Sequence, residues 1–314
     1  MERRQLVIAG LAAFVVLDLV LVVMALRYTA PLEVADVAAA PSVDVSAEPT
    51  SSSREVPADG SDGQAPDRPV VRPRALTSVL VASGADVAWV VDSADCGRVG
   101  TTWATSDGGG SWQRGEAPGA GTRIRPSDGT SAFVILGGED CSLQLWSTGD
   151  AGRSWSGPGS AARGWARVPD DATAVHTPTD AVVTPCGDAE VIDLSADGGE
   201  RATALCRNGR VLSTTDNGAS WEQSARLQSA LAVSGRGDGS GVVALAVTDC
   251  EGVVVRQYGD GAQDGGQCVG AASPVEGRTS VSVAGDSVWL LAGRDVWRSA
   301  DGSDLRPVAS SLDG

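Results

Sequence analysis

Short apolar runs separated by polar turns account for most of the chain from residue 76 onward. Examples are Val87-Ala-Trp-Val-Val91, Ala132-Phe-Val-Ile-Leu136 and Val288-Trp-Leu-Leu. Runs of four or five residues between clusters of Gly, Asp and Asn are typical of β-strands joined in antiparallel hairpins. Runs without a polar position indicate strands that are covered on both faces. The pattern predicts an all-β domain over residues 76–314.

An eight-residue motif, Thr-x-Asp-x-Gly-x-Ser-Trp, occurs three times and is called the box below. We expect its Thr and Asp to bond a tight turn, its Gly to adopt positive φ and its Trp to anchor apolar packing. These structural roles fall on Thr105, Asp107, Gly109, Trp112, Thr148, Asp150, Gly152, Trp155, Thr214, Asp216, Gly218 and Trp221.

The spacing of the boxes predicts the architecture. Thr105 and Thr148 are 43 residues apart, and Thr214 precedes a degenerate copy at Ser299–Ser303 by 85, with a worn copy expected near Asp260. A period of about 40–50 residues with four strands per repeat is typical of a β-propeller. The interval from Thr148 to Thr214 is 66 residues, so about 23 are extra, around residues 162–185. We predict five blades, or six if this insert is a reduced blade.

The chain begins with an apolar run over residues 5–26, long enough to cross a bilayer as a helix. Arg3 and Arg4 before this run favour a cytoplasmic amino terminus and an exported body. We therefore expect residues 1–27 to be an uncleaved, single-pass signal anchor. Residues 28–75 are rich in Pro, Ser, Ala and Asp, which predicts a disordered linker. The expected location is the cell membrane, with the propeller of residues 76–314 outside the cytoplasm.

Composition limits the chemistry. The net charge is −16, which argues against a nucleic-acid partner. All the basic residues are Arg, as the codon bias of a GC-rich genome would produce. The single His, His176, and the lack of a Cys-x-x-Cys pair leave little basis for a metal site, and no cofactor is expected.

Six cysteines in an exported domain favour disulfides. Four of them, Cys96, Cys141, Cys206 and Cys250, precede their box Asp by 9–11 residues, whereas Cys186 and Cys268 are out of register. Fifteen pairings are possible for six cysteines. We favour Cys186–Cys206 and Cys250–Cys268 within blades and Cys96–Cys141 between neighbouring blades; free thiols in an unexported protein are the alternative.

The boxes resemble the Asp-box (BNR) repeats of the sialidase superfamily of propellers, which also occur in sortilin-type receptors and photosystem II stability/assembly factor-like proteins. The resemblance covers about residues 76–309. It implies that each box lies between the third and fourth strands of a blade, away from the ligand-bearing face, where the in-register cysteines would then lie.

The resemblance does not extend to sialidase catalytic residues. The segment Thr122-Arg-Ile-Arg-Pro126 is a poor match to the Arg-Ile-Pro motif of sialidases, and Tyr258 is the only Tyr in the propeller, with Glu251 the nearest upstream carboxylate. We therefore expect no catalytic residues. The predicted function is a non-catalytic binding or scaffold module for a protein or glycan of the bacterial cell envelope, docked on the propeller face. The alternatives are a diverged glycoside hydrolase and an assembly or stability factor for a membrane complex.

Overall fold

The computed structural model describes residues 71–93, 96–259, 265–308 and 311–312, all within the compact unit Pro66–Gly314. The expected anchor over residues 1–27, most of the linker and the worn box at Asp260 lie outside the described residues. Among the residues described, no helix has the length and apolar character needed to span a membrane.

The described residues form six sheets, in which every strand pair is antiparallel. Blade 1 contains β1 (Ser78–Ala82), β2 (Ala88–Asp92), β3 (Gly100–Thr105) and β4 (Gln113–Ala117). Blade 2 contains β5 (Ala120–Pro126), β6 (Ala132–Gly137), β7 (Leu143–Thr148) and β8 (Ser156–Ser160). Blade 3 contains β9 (Ala166–Arg167), β10 (Val175–His176) and β11 (Val182–Val183).

Blades 4 to 6 have four strands each. Blade 4 contains β12 (Val191–Gly198), β13 (Arg201–Cys206), β14 (Arg210–Thr214) and β15 (Glu222–Arg226). Blade 5 contains β16 (Ala230–Gly235), β17 (Gly241–Leu245), β18 (Val253–Tyr258) and β19 (Gln267–Val269). Blade 6 contains β20 (Thr279–Ala284), β21 (Ser287–Ala292), β22 (Asp295–Ser299) and β23 (Arg306–Pro307).

The six sheets form a closed ring, so the chain is a six-bladed β-propeller. The first strands β1, β5, β9, β12, β16 and β20 lie innermost, and each packs against the next. Short polar side chains join these strands: Ser280 Oγ accepts from Leu80 N at 3.1 Å, and Ser234 Oγ accepts from Val283 N at 3.0 Å. The contact of β20 with β1 closes the ring between the last blade and the first.

The core follows the apolar pattern of the sequence. The second strands β2, β13 and β21 are buried at nearly every position, as expected for strands packed between two blades. Fourth strands such as β4 and β15 are mostly exposed and polar. The blades therefore stack through their inner and middle strands, and the outer strands face water.

The favoured count of five blades is wrong, and the alternative of six is observed. The extra residues around 162–185 form blade 3, whose three strands have only two residues each. In blade 3, β10 pairs with β11 as a hairpin and with β9 on its other side, and no pattern in the sequence indicates β9. Strands this short have no recognisable alternation, so their residues look like an insertion rather than a blade.

Candidate functional site

The box residues form a hydrogen-bonded turn between the third and fourth strands of blades 1, 2 and 4. In the second box, Thr148 Oγ1 donates to Asp150 Oδ1 at 2.8 Å and accepts from Gly152 N at 3.1 Å. Asp150 Oδ1 also accepts from Ser154 N at 2.9 Å. Gly152 has φ +79°, a conformation that residues with a Cβ rarely adopt. The box carboxylate thus accepts three hydrogen bonds from its own turn, which is the structural role that the sequence predicts.

Each box Trp contacts the preceding blade. Trp112 packs edge-to-face on Trp289 of blade 6, with ring centroids 6.3 Å apart, and Trp221 packs in the same way on Trp165 of blade 3 at 5.9 Å. Trp155 Nε1 donates to the carbonyl oxygen of Glu116 in blade 1. We expected the Trp to anchor its own blade. Its contacts show that the box also fastens one blade to the one before it.

The cysteines form the three predicted pairs: Cys96–Cys141, Cys186–Cys206 and Cys250–Cys268. The predicted position of Cys186–Cys206 within one blade is wrong, because Cys186 follows β11 of blade 3 whereas Cys206 ends β13 of blade 4. In an antiparallel blade, the turn between strands two and three lies at the opposite edge from the turn between strands three and four. The turns of Cys96 and Cys141 therefore lie on the propeller face opposite the boxes. A cavity of about 480 Å³ is present there, but Arg167, its only charged lining residue, donates to the carbonyl oxygen of Leu76.

The residues considered for sialidase-like chemistry do not converge. Tyr258 is buried with Ile192 and Leu205 between blades 4 and 5, and this burial raises the pKa of its hydroxyl. Glu251 precedes β18 and Tyr258 ends it, so about 17 Å of strand separates them, five rises of roughly 3.3 Å. His176 Nδ1 donates to Gly164 O at 2.9 Å, and Nε2 lies 3.1 Å from Asp180 Oδ1. In the part of the chain that the structure describes, no group of three His, Cys, Asp or Glu side chains could hold a metal ion.

Arg123 links blades 2 and 4 across the reduced blade 3. From β5, its guanidinium donates to Leu194 O at 2.9 Å and to Ala196 O, both on β12. A full-length inner strand in blade 3 would separate these two blades. Because β9 has only two residues, a long side chain can close the gap.

A buried charge cluster surrounds this bridge. Asp193 is 5% exposed and accepts from Leu194 N and Val233 N, each at 2.8 Å. Burial raises the pKa of Asp193 to about 6, against the pull of these donors and of Arg167 and Arg123. Burial lowers the pKa of Arg123 to about 10; Asp193 opposes this shift and the neighbouring charge of Arg125 adds to it. The cluster lines a central channel of about 300 Å³.

A side pocket of about 220 Å³ opens between blades 2 and 3, and we call it the Arg pocket. It shares Arg123, Arg125 and Ala196 with the channel. Its lining consists of three arginines, four large apolar side chains and six small residues: Arg123, Arg125, Arg163, Phe133, Ile135, Leu145, Trp165, Ser160, Ala161, Gly164, Ala196, Gly198 and Gly199.

The Arg pocket faces the box side of the propeller. Arg125 lies at the end of β5, next to the turn between the first and second strands, and that turn shares its edge with the box turn. Trp165 Nε1 donates to Gly199 O at 2.8 Å, in the corresponding turn of blade 4. The resemblance implied a ligand site on the opposite face. The pocket lies here because it arises from the shortening of blade 3.

Sequence reasoning missed this pocket. It treated Arg123 and Arg125 only as a poor match to a sialidase motif, and it did not single out Arg163 or Phe133. The available indication was two arginines two residues apart on an inner strand of a chain with net charge −16. Arg163 is 40 residues from Arg123, so only the stacking of blades 2 and 3 brings them together.

Comparison with known proteins shows a likeness of fold. No protein-family model and no curated protein matches this chain. It is similar to the GH74 xyloglucanase of Xanthomonas campestris (14% identity, TM-score 0.29, 74% of this chain and 38% of that chain covered). It is similar to the Aleuria aurantia lectin (11%, TM-score 0.48, 75% and 95%) and to YCF48 of Cyanidioschyzon merolae (15%, TM-score 0.29, 77% and 72%). The chain thus spans little more than a third of the xyloglucanase, and these likenesses concern the propeller fold alone.

Proposed function

We propose that this protein is a membrane-anchored, extracytoplasmic β-propeller that acts as a non-catalytic binding module for a protein or glycan of the bacterial cell envelope, and that the Arg pocket is its binding site. The convergence of three arginines and an apolar floor in one pocket carries this proposal. Clefts lined by apolar side chains with a few charged groups are the usual form of binding sites.

The chemistry of the pocket favours binding over catalysis. Among the described residues that line it there is no Asp, Glu, Tyr, Cys or His, so these residues offer no general acid, general base or acidic nucleophile. The other charged groups nearby are engaged, because Asp193 accepts backbone N–H groups and Asp197 pairs with Arg201 at 3.3 Å. The function that fits the arginines of the Arg pocket is to bind an anionic ligand.

The membrane location is supported by sequence and by the disulfides. The apolar run of residues 5–26 is long enough to anchor the chain, and disulfides persist in oxidising compartments outside the cytoplasm. The three disulfides use all six cysteines of the chain.

The test is recovery of bound material from the cell envelope of the source organism with the tagged full-length chain. The variant Arg125→Glu/Arg163→Glu reverses two charges of the Arg pocket. Its control, Arg114→Glu/Arg226→Glu, makes the same charge change on exposed strands of blades 1 and 4. We expect the pocket variant to lose a specific protein or glycan that the wild type and the control retain. Equal recovery by all three chains would exclude the Arg pocket, and recovered glycans cleaved only in the presence of the wild type would indicate the hydrolase.

A further inference from the structure

We infer that the Arg pocket recognises a peptide segment of a protein partner, in which a carboxylate lies next to a bulky apolar side chain, rather than a sugar. This inference rests on the proposed function, since it names the ligand class of the same site. It follows from the separation of apolar and charged surfaces within the pocket, from its size, and from the groups that its lining lacks.

The floor of the pocket is apolar and the rim is partly so. Ile135 and Trp165 are 5% and 4% exposed and form the base, with Leu145 beside them. Phe133 stands at the rim with 47% of its surface exposed. Burying such surface against an apolar group is favourable by about 25 cal/mol per Å². The pocket is therefore suited to a large apolar side chain.

Among the residues that the structure describes, the positive charges at the rim of the Arg pocket have no partner. Arg125 and Arg163 are exposed, and neither guanidinium makes a hydrogen bond or an ion pair with any other residue that the structure describes. Arg123 is deeper and is already bound to β12. A guanidinium presents its donors in a planar fork that matches a carboxylate. Adjacent like charges repel, and an anionic ligand would offset this repulsion.

The lining lacks the groups that sugars require. A sugar hydroxyl both donates and accepts hydrogen bonds, so a site that satisfies it offers acceptors as well as donors. The part of the chain that the structure describes contributes no Asp, Glu, Asn or Gln to the Arg pocket, and Ser160 is the only one of these lining residues with a side-chain hydroxyl. Three arginines supply donors in excess. This imbalance suits a carboxylate, which only accepts hydrogen bonds.

The size of the pocket points to a single residue. Its volume of about 220 Å³ is below the roughly 300–1,000 Å³ of sites for drug-sized ligands. Gly164 and Ile135 already lie in close contact in the lining, because a Cβ on Gly164 would lie 2.3 Å from Ile135 Cδ1. The pocket has room for one side chain, and the arginines at its rim lie where the carboxylate of an adjacent residue would lie.

The experiment compares four probes on the full-length chain in detergent micelles. The first probe, acetyl-Phe-Asp-amide, carries both groups. Acetyl-Phe-Asn-amide lacks the charge, acetyl-Gly-Asp-amide lacks the apolar side chain, and sialyllactose carries its carboxylate on a sugar. Ligand-observed NMR titration gives each dissociation constant. We expect acetyl-Phe-Asp-amide to bind at least tenfold more tightly than each of the other three.

Variants locate the binding. Arg125→Gln/Arg163→Gln should reduce the preference for the Asp probe over the Asn probe to about onefold, whereas Arg114→Gln/Arg226→Gln should leave it unchanged. Phe133→Ala should weaken both Phe-containing probes by the same factor, because it removes apolar contact and no charge. These variants change exposed or half-exposed side chains, so folding is expected to be retained.

The outcomes separate this inference from the proposed function. Sialyllactose binding as tightly as acetyl-Phe-Asp-amide would overturn the peptide assignment and leave the binding module in place. The peptide assignment would also be overturned, and the binding module kept, if no probe binds while recovery of envelope material still depends on Arg125 and Arg163. If no probe binds and recovery does not depend on these arginines, both the ligand class and the site are wrong.

Discussion

Blades 3 and 4 are neighbours in the ring and differ in almost every local feature. Blade 4 has four strands of five to eight residues, a complete box and a second strand buried along most of its length. Blade 3 has three strands of two residues and no box. The ring of inner strands is nevertheless continuous through both blades. A propeller can therefore accommodate an incomplete blade if other contacts bridge the space that it leaves.

Two contacts join blade 3 and its neighbours, and the first is of the same kind as at the other boxes. On the box side, Trp221 of blade 4 packs on Trp165 of blade 3. Near the axis, Arg123 passes from blade 2 to blade 4, and Asp193 supplies the opposite charge. The space that remains is the Arg pocket. The regular blades thus maintain the fold, whereas the irregular blade provides the candidate site.

The largest effect is expected at the bridge. Asp193→Ala removes the buried negative charge that acts on Arg123 and Arg167. We expect a cost of about 3–5 kcal/mol, the range for leaving a buried charge uncompensated. The control is Asp197→Ala on the same strand, since Asp197 is exposed and pairs with Arg201 at 3.3 Å. Asp197→Ala should lower the free energy of unfolding by less than about 1 kcal/mol. Equal costs in chemical denaturation would show that the cluster does not hold blades 2, 3 and 4 together.

Removing one disulfide at a time compares the stability contributed by the connection between blades 3 and 4 with that contributed by the interior of a regular blade. Cys186–Cys206 and Cys250–Cys268 close loops of similar length, with separations of 20 and 18 residues, so loop entropy gives each about 3 kcal/mol. Cys186 and Cys206 are also buried in the core of blades 3 and 4, whereas Cys268 is exposed. We expect replacing Cys186 and Cys206 by Ala to cost about 1 kcal/mol more than the same change at Cys250 and Cys268. A larger loss at Cys250 and Cys268 would contradict this account of the blade 3 connection.

The box tryptophans test whether the reduced blade is fastened like the others. Trp112→Ala and Trp221→Ala each remove a half-buried indole, and we expect each to cost about 3 kcal/mol, the low end of the range for a large aromatic. Val182→Ala, at an exposed position, is the control and should change stability by less than about 0.5 kcal/mol. A negligible cost for Trp221→Ala beside a large one for Trp112→Ala would mean that blade 4 does not hold blade 3.

The smallest effect is a dependence on pH that belongs to the regular blades. Hydrogen bonds from Ser111, Ser154 and Ser220 lower the pKa of Asp107, Asp150 and Asp216 to about 2, from 3.8. A lowered pKa stabilises the fold above pH 4, and this contribution is lost as pH falls from about 4 towards 2. Asp193, whose pKa is raised, acts in the opposite direction, between about pH 4 and 6.

Thermal melts between pH 5 and pH 2 measure this box contribution. Asp150→Asn should flatten the decline below pH 4, whereas Asp188→Asn, an exposed position outside the boxes, should leave it unchanged. Identical slopes for the wild type and Asp150→Asn would show that the box carboxylate does not contribute to this dependence.

The sequence was sufficient for the propeller and the cysteine pairing. Buried second strands such as Val288–Leu291 are unmistakably apolar, and the boxes recur at a period that a propeller explains. Cys96 and Cys141 were the two cysteines left once the other four were paired within blades, and they share a register in neighbouring blades. The exposed fourth strands could not be located as easily, because a strand that faces water has no apolar pattern.

Blade 3 and the Arg pocket could not be predicted from the sequence, for a different reason. A strand of two residues gives no periodic pattern, so the presence of β9 depends on its neighbours. Arg123 and Arg163 meet only because that blade is short. Their common role depends on contacts between residues far apart in the chain, which local propensity does not encode.

The most direct test of the central claim is photo-crosslinking in living cells with p-benzoylphenylalanine in place of Phe133, at the rim of the Arg pocket. Val182, which is 62% exposed on blade 3 and outside the Arg pocket, is the matched control position. We predict a discrete protein adduct from position 133 that is absent from position 182 and is lost with Arg125→Glu/Arg163→Glu. An adduct that persists in this variant, or that forms equally at both positions, would contradict the assignment of the Arg pocket as the binding site.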